Sequence, residues 1–112
     1  MLPRKRNLEM VQGDTMAFGI KLHVDQEADS IYFSCALNNS GDYLFQKSLG
    51  NGIELIESTE NEKIYGIRVA PEDTKNADPK SYQYDLQIAM NGDVFTLMTG
   101  ALTIYGEVTI QE

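Results

Sequence analysis

The sequence predicts an all-β sandwich, and three observations carry that expectation. Apolar and polar residues alternate with period two over several stretches. Asn91-Gly92, the strongest two-residue hairpin signal, stands between two of them. No stretch of useful length carries a helical period. At 112 residues the chain is one domain, long enough to bury a core without metal or disulfide staples.

Arg4, Lys5 and Arg6 open the chain as a basic N-terminal arm over residues 1–6, read as solvated, and residues 7–112 form the single β-sandwich domain. "LEMV" is a short first strand. In "TMAFGIKLHV", Met16, Phe18, Ile20, Leu22 and Val24 share one face, with Ala17, Gly19, Lys21 and His23 on the other. "IYFSCALN" points Ile31, Phe33, Cys35 and Leu37 inward. "YLFQK" and, after the turn-forming Gly50-Asn51-Gly52, "IELIE" are shorter strands. "KIYGIRVA" sends Tyr65, Ile67 and Val69 inward and Arg68 outward. "PEDTKNADPK" is a polar connection with room for one helical turn.

The last third reads "YQYDLQIAMNGDVFTLMTGALTI". Tyr82, Tyr84, Leu86, Ile88 and Met90 share a face. A type I′ turn at Asn91-Gly92 needs positive φ at both central positions and sets the register: Met90 against Asp93, Ile88 against Phe95, Leu86 against Leu97. Phe95 and Leu97 are inward at odd positions, whereas Leu102, Ile104, Val108 and Ile110 are inward at even ones. One extra residue must be absorbed between them, and Gly100 suits the αL position of a bulge; a second hairpin at Thr99-Gly100-Ala101 is the alternative.

These elements lay out an immunoglobulin-like β-sandwich of seven to eight antiparallel strands, with an F–G hairpin and a bulged last strand. "LEMV" is A, "TMAFGIKLHV" B, "IYFSCALN" C, "YLFQK" C′, "IELIE" D, "KIYGIRVA" E, and the hairpin supplies F and G. Tyr82 begins F, where a tyrosine corner would sit, although its spacing from Asp73 is longer than usual.

The net charge is −8, and all seventeen acidic residues follow the basic arm. Such a body repels a phosphate backbone, so no nucleic-acid partner is expected. No apolar run approaches a membrane span, and no signal peptide follows the basic start. The single cysteine excludes an internal disulfide. No enzyme is expected either. His23, the only histidine, is on an outward phase, and Cys35 is a small core residue on an inward one. There are no expected catalytic residues, no cofactor and no metal site. Asp25, Glu27 and Asp29 lack the glycine and distal glutamate of a calcium loop, and Asn38-Asn39-Ser40 is a glycosylation sequon in form only.

Three pieces in order, "VQGDTMAFGIKL", "LFQKSLGNGIELIE" and "PEDT…YQYDLQIAMNGDVFTLMTGALTIYGEVT", resemble the small immunoglobulin-like structural proteins of tailed bacteriophages and prophages. The N-terminal domain of the phage baseplate upper protein is the best-described kind. The resemblance covers most of the chain apart from the first six residues and the B–C loop. It implies a non-enzymatic, tail- or baseplate-associated virion protein, located in the virion and, during assembly, in the bacterial host cytoplasm. Its implied partners are tail or baseplate proteins or further copies of itself. Because the chain stops at Glu112, soon after G, a small accessory or decoration protein is expected rather than a spacer carrying another module. The alternative is a small carbohydrate-binding or adhesion-type β-sandwich.

The candidate protein interface is the outward phase of C, F and G: Tyr32 and Ser34; Gln83, Asp85 and Gln87; Met98, Thr103 and Tyr105. In so acidic a chain this face carries few charges besides Asp85, and charge depletion with tyrosines and a methionine is the composition of an interface core. An ordinary strand surface is the competing reading, since Thr, Gln and Tyr favour strands anyway.

Overall fold

The computed structural model describes residues 2–37 and 42–108. In chain order the elements are β1 (Arg4–Lys5), β2 (Leu8–Val11), β3 (Met16–Leu22), β4 (Ser30–Ala36), β5 (Tyr43–Leu49), β6 (Gly52–Ser58), β7 (Lys63–Val69), α1 (Pro71–Thr74), β8 (Ser81–Met90) and β9 (Asp93–Tyr105). The ladder runs β1-β9-β8-β4-β5-β6-β7-β3, with β2 also on β9. Only two pairs join β5 to β6, beyond a turn in which Gly50 and Gly52 hold φ of 84° and 93°; there the chain passes from one layer to the other. The layers face each other: Phe18 of β3 meets Phe33 of β4 edge-on, ring centroids 5.5 Å apart. This strand order makes the fold an immunoglobulin-like β-sandwich.

Alternation predicted the core well. Ile31, Phe33, Cys35, Tyr65, Ile67, Val69, Leu86, Leu102 and Ile104 are all buried. Phe33 is the hub, touching Phe18, Phe45 and Tyr84. Burying a side chain of that size contributes about 1.5–3 kcal/mol. Asn91 and Gly92 hold φ of 53° and 82°, as the expected turn requires. The tyrosine corner also forms, but on a nearer partner than Asp73: the Tyr82 hydroxyl donates to the Asp78 carbonyl at 2.8 Å.

Several expectations need correction. Not all strands are antiparallel: β1 and β2 run parallel to β9, because the chain crosses to the other layer after β2, and β5 meets β6 in parallel. The arm is tied down as well, Arg4 pairing with Met98 and Lys5 with Thr99, while their side chains stay exposed. The bulge in β9 falls before Gly100. Gln87 pairs with Thr96 but Leu86 with Met98, so Leu97 is the extra residue and Leu86–Leu97 is not a pair. The reason is packing, since a bulge there lets both Leu97 and Met98 reach the core. Gly100 sits in regular register opposite Tyr84. Glycine is needed there because a Cβ would lie 2.2 Å from the Arg6 carbonyl oxygen.

Leu37 is 51% exposed rather than inward, because β4 ends at Ala36 after a register shift against β5. Phe95 pairs with Ile88 as expected yet is 39% exposed, since pairing with the arm begins only at Met98. Val108 is exposed too; Ile110 and the Asn38-Asn39-Ser40 sequon lie outside the described residues.

Beneath the sandwich, Lys47 on the inward phase of β5 pairs with Asp73 of α1, Nζ to Oδ2 2.6 Å, both side chains largely buried. The Asp73 carboxylate also accepts from the Ala70 amide at 2.7 Å. Gly52 makes room for the lysine stem, as a Cβ there would approach Lys47 Cδ at 2.6 Å.

Candidate functional site

The outer face of the β9-β8-β4-β5 layer is built by register. Tyr32, Gln87 and Thr96 form one row across three strands; Ser34, Asp85 and Thr99 form the next; Ala36, Gln83 and Ala101 a third. Five of the sequence-predicted residues, Tyr32, Ser34, Gln83, Asp85 and Gln87, therefore share one surface. Thr103 and Tyr105 extend it along β9, Tyr105 donating its hydroxyl to Glu9 at 2.8 Å. That bond is the main cause pushing the Tyr105 pKa upward. Met98 does not belong: the bulge at Leu97 turns it to the core-facing phase, opposite Leu86. The same slip carries Thr99 onto the outer face, which a bulge at Gly100 would have turned inward.

The middle rows lie in a groove of about 670 Å³. Ser34, Asp85 and Thr99 line it, with Lys5 and Asn7 of the N-terminal segment on the β9 side and Tyr43 of β5 on the other. Neighbouring bonds fix several of these groups. Asn7 Oδ1 accepts from the Ala101 amide at 3.1 Å, Thr99 Oγ1 donates to the Tyr84 carbonyl at 3.1 Å, and Gln46 Nε2 donates to Ser34 Oγ at 3.0 Å. The Tyr84 hydroxyl donates to the Arg6 carbonyl, anchoring the groove wall from within the core. The Asp85 carboxylate has no hydrogen-bond or salt-bridge partner among the described residues, Lys5 included. Partial burial pushes its pKa up. Sequence spacing marked Asp85 as the face's one charge but could not show the wall, which comes from residues 78 and 94 positions away in pairs such as Arg6–Tyr84 and Asn7–Ala101.

The other chemistry-bearing residues stand apart. His23 is exposed, its Nδ1 3.7 Å from Glu62 Oε2. Cys35 is fully buried, and burial pushes its thiol up to about 12. Asp29 pins the hairpin, its carboxylate accepting from the Asn91 amide at 3.0 Å. Among the described residues, no group of three or more His, Cys, Asp or Glu is placed to hold a metal ion, and no helix is long and apolar enough to cross a membrane.

No family model matches the chain, and no curated protein does. Among solved structures it is similar to part of a family 123 glycoside hydrolase from Clostridium perfringens, with a TM-score of 0.57 and 12% identity over 94% of this chain. The chain spans 23% of that hydrolase's length. The Ig1 domain of mouse SynCAM 2 gives a TM-score of 0.42 at 22% identity, covering 90% of this chain and 92% of that one. The extracellular domain of the voltage-gated sodium channel β4 subunit gives 0.43 at 15%, covering 96% and 97%. At such identity the likeness to the hydrolase segment is one of fold alone, and the immunoglobulin-like sandwich rests on the strand order itself.

Proposed function

We propose that the protein is a non-enzymatic, adhesion-type β-sandwich that binds another protein, a second copy included, through the outer face of the β9-β8-β4-β5 layer. One observation carries the reading. In a chain of net charge −8, the strands β9, β8, β4 and β5 put only Asp85 on this face, with Lys5 of β1 beside the same groove, and the face exposes Tyr32, Tyr43 and Tyr105. Two acidic bodies repel at close range unless they meet where charge is sparse. Exposed tyrosines on such a face supply rigid contact area. Changing Tyr32→Lys and Tyr105→Lys together should abolish association measured by light scattering on a concentration series; unchanged association with an intact fold overturns the reading.

Its finer form is the virion role: a tail- or baseplate-associated protein of a tailed phage or prophage. Its support is the resemblance of three ordered sequence pieces, and tail, baseplate or lysis genes on either side would be the expected genomic setting. Carbohydrate binding is the second reading, favoured by Tyr43, 53% exposed on a groove that Asn7, Gln83 and Asp85 also line. Specific binding on a glycan array would reverse the order of the two.

A further inference from the structure

We infer that copies of this chain associate edge to edge, the basic arm of one copy seated on the acidic edge of β6 in the next. The two segments carry opposite charge, and neither finds a partner in its own chain. Arg4, Lys5 and Arg6 are exposed and form no ion pair among the described residues. Glu54, Glu57 and Glu60, on β6 and the turn after it, are exposed and equally unpaired, and Arg68 of the neighbouring β7 bonds none of them. Each segment also exposes one apolar side chain to bury, Leu2 at 91% and Ile56 at 63%.

The spacing of the charges matches as well. The β6–β7 ladder slips between Leu55 and Glu57, which leaves Ile56 as the extra residue, lying over Gly66. Glu54 faces Gly66 and Glu57 faces Ile64, so the bulge brings both carboxylates and Ile56 onto the outward phase. The two glutamates are therefore two ladder positions apart, or about 7 Å. Arg4 and Arg6 are two positions apart on the arm. Two guanidinium–carboxylate pairs form together in this register, each with the planar, two-point geometry that suits arginine.

The pairing cannot close within one chain. β1 opens the ladder and β6 follows β5, which is four strand spacings away, or about 19 Å. Exposed charges are largely screened beyond roughly 8 Å in physiological salt. Both segments are open edges: β1 has no described strand on its outer side, and β6 pairs with β5 only at Gly52 and Ile53. The arm supplies +3 of the net −8, so the rest of the chain stands at −11 and repels its own copies wherever the arm is not. Because arm and β6 edge are different surfaces, the contact is heterologous, and association grows into rows rather than stopping at a dimer.

The test is a charge swap followed by sedimentation velocity on a concentration series. The parent should grow past the dimer as concentration rises. Arg4→Glu with Arg6→Glu, and separately Glu54→Arg with Glu57→Arg, should each hold at a dimer or below. An equal mixture of the two variants should recover growth, because the reversed arm of one meets the reversed edge of the other. A parent that never exceeds a dimer, a variant that grows as the parent does, or a mixture of two folded variants that stays small overturns the proposal. If charge reversal on β6 perturbs the fold, Glu54→Gln with Glu57→Gln decides: growth should weaken severalfold, and unchanged growth overturns the proposal. With edge growth removed, the charge variants are also the background in which the tyrosine substitutions test the outer face, so the two contacts can fail separately.

Discussion

The two edges of the sheet have the same sequence signature and different fates. On β9, Leu102 and Ile104 alternate with polar residues and are buried at 0% and 1% exposure, because β2 runs beside them. On β3, Met16, Phe18, Ile20 and Leu22 alternate as cleanly, yet all four are only partly buried, since no described strand covers the far edge. Even within β9 the contrast recurs: Phe95, beyond the reach of the arm, is exposed. Period two tells which way a side chain points. How deeply it is buried depends on the neighbouring strand.

The comparison is sharpened first at the buried Lys47–Asp73 pair between β5 and α1, where the largest effect is expected. Asp73→Ala would leave Lys47 buried without its counter-charge and should cost about 3–5 kcal/mol in denaturant unfolding. A loss within 1 kcal/mol would mean that Lys47 reaches water instead.

The strands, their facing and the hairpin turn were legible because each is written in local periodicity and in Asn91-Gly92. The bulge was not, because period two locates a phase change only to within a few residues. Leu97-Met98 against Leu86 decides it by packing, and the glycine that suggested a bulge answers instead to the Arg6 carbonyl. The candidate face was legible on β4 and β8, whose register against each other is unbroken, and partly misread on β9 after the bulge. The groove itself was invisible, since its wall is the N-terminal segment docking on a strand near the other end of the chain.

At the covered edge, Gly100→Val should displace the arm from β9 and cost about 1–3 kcal/mol, the usual range for overpacking. Hydrogen exchange at Arg6, whose amide bonds the Thr99 carbonyl at 3.0 Å, should accelerate in the variant. Protection left as in the parent would show that the close approach is not what holds the arm.

Midway between the edges, Cys35→Ala should cost on the order of 1 kcal/mol at neutral pH, as a small core truncation does. The parent should also lose stability in alkali. The folded thiol pKa is raised from 9.0 to about 12, so its contribution is complete below pH 9 and is lost as pH climbs from 9 to 12. Cys35→Ala should flatten that alkaline fall in a pH series of melts, and an identical slope in the two proteins would assign the fall to the tyrosines. The smallest effect belongs to the open edge. Ala17→Lys, at an exposed position of β3, should change stability by no more than about 0.5 kcal/mol. A larger loss would reveal a covering partner on that edge.

The parallel pairing of β2 with β9 has a mechanical consequence. Tension pulling β2 toward its start and β9 toward its end draws two parallel strands past each other along their own axes. The bonds from Leu8↔Leu102 to Val11↔Tyr105 are then loaded together in shear rather than peeled one at a time. A domain strung between two attachments at its opposite ends would yield abruptly, at a force set by that whole short ladder, whereas the β8–β9 hairpin pulled from its open end would unzip pair by pair.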